Sequence, residues 1–218
     1  MSFDRKQLEE LYNRLSNAYG PQHWWPAETP FEIMVGAILT QNTAWTNVEK
    51  AIQNLKQADA LNTHSIIGLP DEKLAKLIYP SGYFNVKSQR LKNYTKWFVD
   101  AGRFKGLQQL DNPDLRQGLL GVNGIGPETA DDILLYAFER PVFVIDTYTR
   151  RLLKKVLPIS GDEPYETLRL SCESSLDPDV ALFNEYHALI VRHAKEKCSG
   201  ETSCKHCCVE APIATYIE

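Results

Sequence analysis

No stretch of the 218 residues is apolar for long enough to cross a bilayer, and Met1–Glu10 is polar and charged where a secretion signal would carry an apolar block. A soluble, intracellular protein is therefore expected. Sustained period-two alternation is missing, which leaves no segment reading as a half-buried strand, and there is no internal repeat of the roughly 20-to-50-residue kind that marks solenoids. Twelve Gly and twelve Pro are ordinary numbers, so nothing reads as low-complexity or disordered. Positive charge is also in short supply. The net charge is −4 and the pI about 5.8, which taken alone argues against a polyanionic partner.

What is present is helical periodicity. Asp4 to Tyr19 places Leu8, Leu11, Tyr12, Leu15 and Tyr19 on one face, and Gly20-Pro21 stops the run. Thr29-Pro30-Phe31-Glu32 reads as a capping box opening a buried helix over 30–39. Further helices are expected over 43–58, 70–78, 88–99, 113–119, 128–138, from 147 to about 157, 164–174 and 180–197, which makes the chain all-α. With 43% hydrophobic residues, 218 residues suffice for one large domain or two compact lobes.

The scarce positive charge is unevenly placed. Lys87, Arg90, Lys92, Lys96, Arg103 and Lys105 face only Asp100 in the 85–105 stretch, and Arg140, Arg150, Arg151, Lys154 and Lys155 face only Asp146 in 140–156. Such segregation permits a DNA-binding face on an acidic protein, and a solvated mixture of charges is the plainer alternative for the first cluster. Four of five cysteines, Cys198, Cys204, Cys207 and Cys208, crowd into eleven residues. In a reducing compartment that density points to metal rather than disulfides, with His206 as a further possible ligand. Cys172, on an amphipathic helix, reads as buried, and His187 and His193 read as packing or solvated side chains.

The densest functional stretch is 120–155. Gly121, Gly124 and Gly126 can take φ > 0, so backbone N–H groups can converge on a phosphate at the helix opening near Pro127; a tight turn without ligand is the alternative. About twenty residues later Asp146 caps the next helix and could aim a carboxylate back at whatever the turn holds.

The strings Gly124-Ile125-Gly126-x-x-Thr129-Ala130 and Val144-Ile145-Asp146-Thr147 resemble the helix-hairpin-helix and Gly/Pro-Asp signature of the endonuclease III superfamily of DNA glycosylases. Trp24-Trp25-Pro26 and Leu39-Thr40-Gln41-Asn42-Thr43 are similar to its base-pocket segments, most of all those of the 3-methyladenine DNA glycosylase III branch. The resemblance implies two helical lobes, 21–138 and 1–20 plus 139–218, with the active site in the cleft between them. It also implies double-stranded DNA with a damaged base as partner, a monomer, and a cytoplasmic, nucleoid-associated location in a bacterium.

Asp146 is then the expected catalytic carboxylate, stabilising positive charge on the sugar and positioning water. Trp24, Trp25, Pro26 and Trp45 would line the base pocket, where an aromatic face also attracts a cationic alkylated base; packing is the alternative for each Trp. Gln41 and Asn42 would fill the gap left by the flipped base, and Gly124, Ile125, Gly126, Arg150 and Arg151 would bind DNA. Glu128 stands where bifunctional members carry the Schiff-base lysine. These assignments imply a monofunctional glycosylase for alkylated purines; an endonuclease III-like enzyme for oxidised pyrimidines or mismatches, and a non-catalytic DNA-binding module, are the alternatives. The cysteine string departs from the superfamily's Cys-x6-Cys-x2-Cys-x5-Cys, having no Cys near Ile213. It implies a structural [4Fe-4S] cluster on Cys198, Cys204, Cys207 and Cys208, or Zn2+ as the alternative.

Overall fold

The structure, a computed structural model, describes residues 2–198 and 207–209. Among the described residues there are twelve α-helices and no strand: α1 Arg5–Tyr19, α2 Pro30–Leu39, α3 Trp45–Gln57, α4 Thr63–Gly68, α5 Asp71–Leu77, α6 Phe84–Asp100, α7 Arg103–Leu107, α8 Asn112–Leu120, α9 Pro127–Asp132, α10 Thr147–Val156, α11 Tyr165–Ser175 and α12 Val180–Glu196. None is long and apolar enough to cross a membrane. The chain divides into two compact units, one of Met1–Pro26 with Arg140–Glu218, the other of Ala27–Glu139.

In the first unit the apolar stripe of α1 meets α12. Leu8, Leu11 and Leu15 are fully buried, each worth about 1.5–3 kcal/mol over an exposed position. Tyr186 on α12 donates to the Leu8 carbonyl at 2.9 Å and stands edge-on to Tyr12 and Phe143. The β-branched and aromatic run Val142–Ile145 is buried but unpaired with any strand. Its backbone is held by side chains instead, Phe143 N–H donating to Glu173 and Ile145 N–H to the Tyr165 hydroxyl. Residues 21–26 pack with this unit, not with the central one as expected. Gln22 explains the shift: its N–H donates to Glu185, its amide to the Tyr19 and Gly20 carbonyls, and it accepts from Arg192.

The second unit is built around α2, buried from Met34 to Leu39, which packs against α3, α6 and the turn after α9. The capping box is half formed as expected. Thr29 accepts from Glu32 N–H, but the Glu32 carboxylate turns to Glu28 N–H and to Lys56. The helix expected over 128–138 starts one residue earlier, is α over Pro127–Asp132 and then widens into a π turn, Ile133–Ala137, closed by Phe138 N–H on the Ile133 carbonyl.

Candidate nucleic-acid interface and carboxylate site

Within the central unit, α8, the turn 121–126 and α9 form a helix-hairpin-helix. Arg116 on α8 grips the fully buried Asp131 on α9 through two hydrogen bonds, 2.7 and 3.0 Å long, fixing the two helices to each other. Of the three turn glycines, only Gly124 uses positive φ (+97°); Gly121 is right-handed helical and Gly126 extended. At Gly124 a Cβ would lie 2.3 Å from Arg90 Cγ. At Gly126 it would meet nothing within 4 Å, so the backbone there is open to close approach from outside. Ile125, expected beside the phosphate, is 5% exposed and serves as the turn's apolar anchor.

Gln41 is turned inward instead of toward a ligand. Its amide donates to the Gly124 carbonyl at 3.1 Å and to Thr129 Oγ1 at 2.9 Å, while Arg90 donates to its carbonyl oxygen. Asn42, the next residue, is exposed with φ +53°. A second exposed tip was not anticipated: Tyr83 is 68% and Tyr79 63% exposed, and Tyr83 enters α6 at φ +45°. Two large aromatics flanking Pro80-Ser81-Gly82 were the sequence signal for it. Trp45 opens α3 with its indole N–H on Glu49. Glu128 is exposed in the first turn of α9.

The basic stretch 85–105 is not one surface. Lys87 and Lys92 are 1% and 9% exposed, bound to backbone carbonyls inside the unit, which leaves Lys96, Arg103 and Lys105 outward. Arg150 and Arg151 are likewise committed in the first unit. Arg150 donates to the carbonyls of Gly161 and Glu163, and Arg151 to that of Cys198 while lying over the Tyr148 ring. Lys154 and Lys155 remain exposed on α10.

Also in the first unit, Asp146 caps α10. Its Oδ1 accepts from Thr149 N–H at 2.6 Å, and Oδ2 lies 3.6 Å from His187 Nε2 on α12. Burial opposes ionisation of this carboxyl, yet contact with His187 and the Thr149 N–H outweighs it and holds the group below the ordinary carboxylate range. The side chain keeps 15% exposure, so an ionised carboxylate sits in a low-dielectric wall with one edge open. His187, read from sequence as a packing or solvated side chain, is 6% exposed and belongs to this pair.

Trp24 and Trp25 meet edge-on, and Trp24 borders a cavity of about 270 Å³ with Gln22, Arg192 and Lys195. Pro26 is exposed. The cation over Trp24 is the protein's own Lys195, its Nζ 5.7 Å from the ring centre.

Cys204 and His206 lie outside the described residues. Among the described residues no three His, Cys, Asp or Glu side chains gather as a metal site. Cys198 is buried, whereas Cys208 Sγ approaches His193 Nδ1 at 3.8 Å, the same nitrogen that meets the Tyr19 hydroxyl. Cys198, Cys207 and Cys208 are the three expected ligands among the described residues, the first buried and the other two half-buried.

A glycine hairpin followed by an aspartate-capped helix defines the class: an all-α helix-hairpin-helix protein. Residues 35–178 match the HhH-GPD superfamily of base excision DNA repair proteins, and the chain belongs to it. It is 44% identical over 205 residues, 93% of either chain, to MJ1434 of Methanocaldococcus jannaschii, to which a DNA repair glycosylase role is ascribed. Endonuclease III of Thermotoga maritima is 27% identical over 163 residues, 73% of this chain and 71% of that protein. The H. pylori 3-methyladenine DNA glycosylase bound to 1,N6-ethenoadenine superposes with a TM-score of 0.75 at 32% identity, covering 89% of this chain and 99% of that one. A trapped endonuclease III–DNA covalent intermediate shares the fold, with a TM-score of 0.80 at 18% identity over 95% and 94% of the two chains.

Proposed function

We propose that this DNA repair glycosylase is monofunctional and releases alkylated purines from double-stranded DNA. The observation that carries the proposal is Asp146, a partly exposed carboxylate kept ionised by His187 and the α10 N-terminus. As the N-glycosidic bond lengthens, its electron pair leaves with the base and positive charge grows on the sugar. A fixed carboxylate stabilises that charge and orients the water whose oxygen bonds to C1′, the proton passing to the carboxylate or solvent.

Glu128 stands where the bifunctional relatives' lysine would attack C1′, and a carboxylate cannot form an imine. The likeness to the H. pylori 3-methyladenine enzyme supports purine lesions. Trp24, Trp25, Pro26 and Trp45 are proposed to line the base pocket. Because Lys195 covers one face of Trp24, a cationic base is expected to stack on a different face. The hairpin at Gly124–Gly126 is proposed to hold the phosphate backbone, and Asn42 and Tyr83 to enter the base stack. Arg150 and Arg151 are proposed to act on DNA within the first unit, through the loops they brace.

The [4Fe-4S] cluster implied by the cysteine string, with Zn2+ as the alternative, takes no part in base release. Iron is expected in the purified protein, and a metal-free protein overturns it. The test of function is a set of duplexes, each with one lesion, scored for base release separately from strand scission. Release from alkylated purines without scission is expected. A covalent adduct trapped by borohydride would overturn the monofunctional reading.

A further inference from the structure

Lys87 is 1% exposed, and its ammonium lies against two backbone carbonyls, Leu39 O at 2.9 Å and Ser81 O at 2.6 Å. Leu39 is the last residue of α2, whose terminal carbonyls have no partner further along the helix and favour a cation. One residue on, Thr40 starts the turn that presents Asn42. Ser81 belongs to a single 3-10 turn, Tyr79–Ser81, that presents Tyr83. Buried lysines are costly, and burial together with nearby Arg90 lowers the Lys87 pKa to about 8. A methionine of similar length would fill the same space without that cost. Core packing therefore does not account for an ammonium here, whereas two converging carbonyl ends do.

We infer that Lys87 is a positioning residue for DNA engagement, fixing the Asn42 tip and the Tyr83 tip at one spacing. Three residues along α6, on the same face, Arg90 fixes Gln41 to Gly124 and Thr129 of the hairpin. One helix thus sets the register of both tips and the hairpin. The inference rests on the proposal that these tips enter DNA, though not on the identity of the lesion.

The test uses the full-length protein and a duplex with an abasic-site analogue flanked by 2-aminopurine, whose fluorescence rises when neighbouring stacking is broken. A second duplex carries one alkylated purine for base release. In Lys87→Met, duplex affinity and KM are expected within about threefold of wild type, because the hairpin is untouched. The 2-aminopurine signal should be lost, and kcat should fall by about 10²-fold, the scale of an ångström-sized misplacement. Lys87→Gln, able to keep one carbonyl, is expected to lie between. A folded variant with wild-type fluorescence and kcat overturns the inference. So does loss of folding in both variants, which would make Lys87 a requirement of the core alone. If wild type itself gives no 2-aminopurine signal, the insertion proposal fails and this inference falls with it. If the signal is present without base release, the lesion is wrongly identified and the Lys87 comparison still stands on fluorescence.

Discussion

Asp146 concentrates the residue-scale consequences. Asp146→Asn keeps the cap on Thr149 N–H but removes the charge, so base release should fall by about 10²–10³-fold with DNA affinity unchanged. A fully active variant in a release assay would exclude this role. His187 lowers the Asp146 pKa, so His187→Ala should move the acid limb of the kcat–pH profile to higher pH. The sign for stability follows from the same shift. The folded carboxyl titrates below its unfolded counterpart, so its stabilisation is present above the ordinary carboxylate pKa and fades as pH drops through the folded value. Acid unfolding of Asp146→Asn should accordingly begin from a lower plateau and show a shallower loss. The carboxylate was legible in the sequence because capping is local. Its histidine was not, because the pair joins positions 41 residues apart through the packing of α10 on α12.

At the scale of elements, the hairpin depends on two internal clamps. Arg116→Leu takes two hydrogen bonds from the fully buried Asp131 carboxylate and should cost about 3–5 kcal/mol in denaturant unfolding, whereas replacing both residues with apolar ones should cost far less. Gly124→Ala forces a side chain into a left-handed position against the Arg90 stem. Each kcal/mol it costs should lower Tm by about 2–4 °C, with weaker duplex binding. α1, with its clear apolar stripe, and α2, opened by the Thr29-Pro30 cap, were read almost to the residue. α4 and α7 were missed because six and five residues are too few to display a period. The start of α6 was placed four residues late because left-handed Tyr83 supplies no side-chain cap. Lys87 and Lys92 looked like surface charge because carbonyl partners leave no trace in a sequence.

For the whole molecule, the acidic total hides which cations face solvent. Lys96, Arg103, Lys105, Lys154 and Lys155 are the exposed ones in the two basic stretches. Replacing Lys154 and Lys155 with Gln should flatten the salt dependence of duplex affinity by about one to two counterions, if both meet phosphate. Base specificity should not change. A final consequence concerns synthesis. The unit containing α1 is completed only by α10–α12, with Leu8 capped by Tyr186 across 178 positions, while Ala27–Glu139 is one unbroken segment. On the ribosome, the hairpin-bearing segment can become compact first, whereas the apolar stripe of α1 stays without its native cover until α12 has been made. A chain truncated after Glu139 and released should resist protease within 27–139 and be cut within 5–19. The newborn protein would then hold a formed hairpin before its carboxylate has a histidine beside it.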